Sequence, residues 1–191
     1  MPKIVDHEVY REDLLDNCFE LFARNGFQRS TMREIAKELK ISTGTLYHYF
    51  PNKESIFRSM IFQLSRKQVI LLTERFKRTK NIQERVQILF QYISSNESFF
   101  QNVLFLVIDY YRQNGSGDPE NFIQDISDYY RKSIGDLIGL GDTPASSAIF
   151  TFTIGLVMQS VMNPTKKDSE DQILLIRTMI ENFLDQIVKV A

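Results

Sequence analysis

Between Ser42 and Lys53 the chain reads STGTLYHYFPNK. Three short hydroxyl side chains, Ser42, Thr43 and Thr45, surround Gly44, and Tyr47, His48 and Tyr49 follow directly after Leu46. Hydroxyls suit the oxygens of an anion such as phosphate, and so do the open backbone N–H groups of a helix's first turn. Gly44 lets the backbone approach a ligand closely. Tyr47 and His48 project one turn later. The phenol of Tyr47 can reach a phosphate, and its ring can pack on sugar or on a thymine methyl. Lys53 adds a cation at the start of the next helix. Tyr49 fits either a base or phosphate contact or packing on the first helix. Catalysis has no comparable support. There are two histidines and one cysteine, without close grouping, and no phosphate-binding glycine loop, G-x-S-x-G or C-x-x-C occurs. No metal, cofactor or enzymatic activity is expected.

The elements that must hold these residues are all helical by period. Leu14, Leu15, Cys18, Phe19, Phe22 and Ala23 form one apolar stripe, which Gly26 ends as a C-terminal cap. Thr31 and Glu34 make a T-x-x-E capping box, with Ile35, Ala36 and Leu39 facing inward. Lys40-Ile41 is a turn. Ser42 or Thr43 caps a third helix that ends at Phe50 ahead of Pro51, and Asn52 caps a fourth. Two short helices joined by a tight turn, 31–39 and 42–50, are a helix-turn-helix, whose second helix enters the DNA major groove. Thr31 and Arg33 then grip the backbone from the other side. The same spacing also fits an amphipathic hairpin that docks a protein partner. The fourth helix keeps one stripe from Ile56 to about Lys80, roughly 40 Å at about 1.5 Å per residue. Five more helices follow, 82–95, 98–113, 120–138, 145–162 and 168–190, with NGSGDP (114–119) as the clearest loop. The expected fold is all-α, with about nine helices and a domain boundary inside the fourth.

The stretch GFQRSTMREIAKELKISTGTLYHYFPNKESIF, 26–57, closely resembles the DNA-binding domain of the TetR (tetracycline-repressor-like) family. The shared elements are a Gly-Phe turn, a T-x-x-x-I-A helix, and S-x-G-T-L-Y-x-Y-F-x-x-K-E. The resemblance is strong over 10–60. It implies DNA contacts from Thr31, Arg33, Thr43, Gly44, Thr45, Tyr47, His48 and Lys53. It also implies a DNA-binding domain over 1–53, a linking helix over 54–80, and a ligand-binding, dimerising domain over 81–191. Family members are mostly repressors released from DNA by a small molecule. One departure is Lys40, where many members carry glycine and a positive φ is expected.

Residues 81–191 hold eight Phe and five Tyr. They suit either an aromatic cavity for a largely apolar effector or a filled helical core. Phe105, Asp109, Tyr110, Phe122, Tyr129 and Phe152 are the candidate ligand residues. Asp109 can meet a cationic ligand, pair with Arg112 or cap an interhelical contact. AIFTFTIGLVMQSVM (148–162) is apolar on nearly every face, too short to span a membrane, and Gly155 permits close helix approach. With 168–190 it is expected to form a four-helix homodimer interface.

The 191 residues, 43% hydrophobic and 25% charged, suit an ordinary helical protein with a sizeable core. Net charge is −1, divided as +5 over 1–80 and −6 over 81–191, so an anionic partner suits the first part. The start MPKIVDHEVYRED has no apolar leader region, and a single cysteine cannot form an internal disulfide. A cytoplasmic location is expected, and Cys18 reads as a small buried hydrophobe.

Overall fold

Side-chain caps set where several helices begin. In the computed structural model, which describes residues 7–115 and 121–162 and short helical pieces at 174–175, 178–179 and 182–183, Thr31 Oγ1 accepts from Glu34 N (3.3 Å). The Glu34 carboxylate in turn accepts from Thr31 N (2.9 Å), completing the capping box that opens α2 (Met32–Glu38). Ser42 Oγ accepts from Thr45 N (2.9 Å) and opens α3 (Thr43–Tyr49). Asn52 Oδ1 accepts from Ser55 N (2.8 Å) at the head of α4 (Lys53–Phe76). Asn81 Oδ1 accepts from Glu84 N (2.8 Å) ahead of α5 (Ile82–Ser95). Ahead of these lies α1 (His7–Asn25), which stops at Gly26 with φ +78°, the left-handed cap that glycine adopts without penalty. After them come α6 (Glu97–Asn114), α7 (Phe122–Ile138) and α8 (Pro144–Met162). Eight helices and no strand are thus found among the described residues. The expected ninth helix, 168–190, lies largely outside them.

Packing divides the chain into two units. The first holds the residues up to Gln68 together with Asn102–Gln124. Its core buries Leu15, Phe22, Phe27, Ile35, Leu46, Phe50, Phe57 and Met60. A chain of rings runs through that core. Phe27 lies 4.8 Å from Phe57 and 5.0 Å from Tyr110, and Tyr110 stacks on Phe57 at 5.1 Å and meets Phe122 edge-on at 5.1 Å. These contacts, favoured over simple apolar burial by ring quadrupoles, explain why 102–124 packs with the N-terminal helices. Sequence period alone placed it with everything after residue 80. Cys18 is buried in this unit, and burial pushes its thiol up to about 12.

The second unit comprises Val69–Gln101 and the residues from Asp125 onward. It buries Val86, Leu89, Phe90 and Ile93 of α5, Ile134 and Ile138 of α7, and Ala145, Ile149 and Val157 of α8. Arg85 closes the end of α7, donating from Nη1 to Ile138 O (3.2 Å) and from Nε to Thr79 Oγ1 (3.1 Å). The corner that follows is built on glycine. The N–H groups of Gly139, Leu140 and Gly141 all converge on Gly135 O, and a Cβ on Gly135 would lie 2.0 Å from Gly141 O.

Two lengths differ from expectation. α4 ends at Phe76, its 24th residue, because Thr79 turns back to bond Phe76 O through both its N–H and its hydroxyl. α8 begins at Pro144 and runs 19 residues without a charged side chain, so by length and composition it could cross a bilayer. The expectation that it is too short is therefore corrected. It rests on the apolar stretch 148–162 alone, whereas the helix, expected over 145–162, also includes the first turn, PASS, whose Ser146 is capped by Thr143.

Candidate nucleic-acid interface

The helical hairpin is held by a strained turn. Ile41 N donates to Ala36 O (3.0 Å) and Lys40 N to Lys37 O (3.1 Å), which requires φ +56° at Lys40. The positive φ expected from the missing glycine is present, at a cost of about 1–2 kcal/mol for a side-chain-bearing residue. Ile35, Ala36, Leu46 and Phe50 turn inward and are buried. The opposite face is presented outward. Ser42, Gly44, Tyr47 and His48 are exposed, Tyr47 by 54%, while Thr43, Thr45 and Tyr49 are half-buried. On α2 both Thr31 and Arg33 are exposed.

Several of these side chains already have partners. Ser42 Oγ and Thr45 Oγ1 lie 2.8 Å apart, so the two hydroxyls bond each other at the cap. Thr31 Oγ1 donates to the Glu34 carboxylate (2.8 Å). Lys53 Nζ donates to Phe27 O (3.0 Å) and Gln28 O (3.2 Å) and sits 4.5 Å over the Phe27 ring. It ties the turn after α1 to the start of α4. Tyr49 packs its ring on Tyr10 of α1 at 5.4 Å, which settles its orientation toward the first helix.

Two residues carry more than their sequence context suggests. His7, at the start of α1, has its Nδ1 3.0 Å from the Tyr49 hydroxyl and its ring 6.3 Å from that of His48. The terminal position gave no hint of this. The available signal was Tyr10, one turn on, which continues the inward face of α1. Asp109 lies beside Gly26 and accepts from Gln28 N (3.1 Å). Of the three roles open to Asp109, an interhelical cap is the one with a bond.

The candidate ligand residues fall in both units. In the first, Tyr110 and Phe122 are fully buried within the ring cluster, and Phe105 is 47% exposed. In the second, Tyr129 and Phe152 are half-buried, Tyr129 against Tyr130 at 6.0 Å. Among the described residues no group of histidine, cysteine and carboxylate side chains could hold a metal ion.

Residues 14–60 match the model of the bacterial regulatory proteins of the tetR family. The HTH-type transcriptional regulator YuxN of Bacillus subtilis is 44% identical over 48 residues, covering 25% of this chain and 16% of that protein. The matched segment thus spans about a sixth of YuxN's length. The biofilm operon negative transcriptional regulator IcaR of Staphylococcus aureus is 26% identical over 125 residues, covering 65% of this chain and 67% of IcaR. In fold, the chain is similar to the transcriptional regulator FadR of Bacillus subtilis, solved with stearoyl-CoA, with a TM-score of 0.65, 22% identity, and coverage of 90% of this chain and 97% of FadR. The hairpin and the matched family model agree over residues 14–60, which form a DNA-binding segment similar to that of the bacterial regulatory proteins of the tetR family, and the helical fold around it is similar to that of solved transcriptional regulators.

Proposed function

We infer that the chain acts in the cytoplasm as a homodimeric, sequence-specific DNA-binding repressor, released from its operator by a small, largely apolar ligand. The observation that carries this is the outward face of α3, where Ser42, Gly44, Tyr47 and His48 stand exposed on a hairpin anchored by buried Leu46 and Phe50. Side chains of that kind on a recognition helix read base edges and phosphates. IcaR's description as a negative regulator supports repression, and FadR's complex with stearoyl-CoA supports a ligand with a long apolar chain. The exposed Ile154, Gly155 and Met162 on α8 support pairing with a second copy, together with 168–190.

In this mechanism a ligand held within 81–191 favours one population of head positions, and the unbroken α4 carries the difference toward α3. The bond from Asp109 to the turn after α1 gives α6 a second hold on the head. A coupling of about 1–3 kcal/mol changes operator occupancy about 5- to 150-fold. The test is fluorescence anisotropy of the purified chain on a duplex from its own upstream region, beside a scrambled duplex, at two salt concentrations. Tight binding to the native duplex that weakens steeply with salt supports the reading. Equal weak binding to both, unaffected by Tyr47→Ala, favours a hairpin that docks a protein partner.

A further inference from the structure

The chain's two histidines are 41 positions apart in sequence, yet the rings of His7 and His48 come within 6.3 Å. Tyr49 completes a triangle with them, its hydroxyl 3.0 Å from His7 Nδ1, its ring 6.0 Å from that of His7 and 5.2 Å from that of His48. Both histidines are exposed, and His48 lies on the outward face of α3. The family match begins at residue 14 and does not reach His7.

We propose that His7, Tyr49 and His48 form a proton-gated phosphate-binding patch at the edge of the DNA-facing surface, with His7 as the positioning residue. This rests on the DNA-binding reading above. In its Nε2–H tautomer, the one taken for the neutral state, a neutral imidazole accepts the Tyr49 proton at Nδ1, which turns the phenol hydrogen inward and away from any ligand. A doubly protonated imidazole has no acceptor and can only donate. Its Nδ1–H then donates to the Tyr49 oxygen, and the phenol hydrogen turns outward as a donor to a phosphate oxygen. The same proton places a positive charge beside that phosphate, and a proton on His48 places a second. Histidine is the side chain that ordinarily changes charge between about pH 5 and 8, which sets the window for the test. Of the ionisable groups on the packed helices, Tyr10 of α1 lies against Tyr49, ring to ring at 5.4 Å, and Glu8, Arg11 and Tyr47 are sequence neighbours of His7 and His48. Arg11 is engaged, donating to Ser59 Oγ (2.8 Å) and lying 5.0 Å over Phe50.

The direction follows from the charge. Lowering the pH protonates the rings, adds phosphate contacts and tightens binding. Raising it removes them. The probe is a duplex enriched from a randomised library by the full-length chain at pH 6. Failure to enrich any sequence overturns the DNA-binding reading itself, and this inference with it. With an enriched duplex, wild-type affinity should fall about tenfold from pH 6 to pH 8 at fixed salt, as expected when histidine charge supports the contact. His7→Gln and Tyr49→Phe should each flatten that profile to about twofold and should not add when combined. His7→Gln should also reduce the salt slope at pH 6 by about 0.9 per lost phosphate contact, with little change at pH 8. Circular dichroism at both pH values confirms that the variants fold. A flat wild-type profile overturns the proposal, and so does an unchanged pH dependence in folded His7→Gln.

Discussion

Asp109 Oδ2 accepts the backbone N–H of Gln28 at 3.1 Å, linking α6 to the turn that ends α1 across 81 positions of sequence. Gly26 sits in that turn with φ +78°, and a Cβ there would lie 3.2 Å from the same carboxylate oxygen. Asp109→Ala should lower stability by about 1–2 kcal/mol, the range for a lost hydrogen bond to a charged acceptor that is partly solvated. That corresponds to a Tm decrease of about 2–8 °C for a chain of this size. Gly26→Ala should be at least as damaging, because it strains the backbone as well as crowding the acceptor. Differential scanning calorimetry measures both, and an unchanged Tm in Asp109→Ala would mean that water replaces the bond.

Tyr47 and Thr31 separate recognition from folding. Tyr47 is 54% exposed and makes none of the core contacts, so Tyr47→Ala should leave stability within about 0.5 kcal/mol. Its operator affinity should fall at least about tenfold, in keeping with the loss of one base or phosphate contact of about 1–3 kcal/mol. Thr31→Ala removes half of the capping box and should lower stability by about 1 kcal/mol whether or not DNA is present. Parallel melting and anisotropy titrations distinguish the two patterns.

Lys53 is a structural tie before it touches any ligand. Two of its three donors go to Phe27 O and Gln28 O, and its ammonium covers the Phe27 ring. Lys53→Met keeps the aliphatic stem and drops the charge. It should lose about 1–2 kcal/mol of stability from the two bonds and the ring contact together, alongside weaker DNA binding. If only DNA binding changes, the carbonyl contacts contribute nothing in solution.

Cys18 gives a pH prediction with a definite sign. Burial raises its thiol from the ordinary 9.0 to about 12 in the folded chain. The unfolded chain therefore loses this proton first. Stability is unaffected below pH 9 and falls as pH rises from 9 toward 12, by at most about 1.4 kcal/mol per pH unit. Cys18→Val should shallow the alkaline limb of the stability curve measured by urea titration. In native protein at pH 8 the thiol should react with a maleimide only as fast as the chain opens.

Local rules made much of this molecule legible in advance. Capping at Thr31, Ser42 and Asn52, the stop at Gly26 and the inward stripe of α1 depend on neighbours three or four positions apart, which period and propensity register directly. The positive φ at Lys40 was legible only through the family resemblance, in which many members carry glycine there. What escaped were partnerships across long sequence separations. His7 with Tyr49, Asp109 with Gln28, and the rings of Tyr110 and Phe122 against Phe57 are pairings that no local pattern specifies. Ser42 and Thr45 also bond each other at the helix cap, a local role that hydroxyl composition alone does not separate from contact with an anion.

Gly135 and Gly155 look alike in sequence, since each lies within a helix beside an isoleucine. At Gly135 the chain's own backbone fills the space where a side chain would stand, whereas at Gly155 nothing lies within 4 Å. In a saturation-mutagenesis library, codon 135 should tolerate only synonymous change. Codon 155 should accept alanine freely if the chain works alone, and should be as restrictive as codon 135 if a second chain lies against it. The pattern of surviving alleles would then read out quaternary structure inside a living cell, without the protein ever being purified.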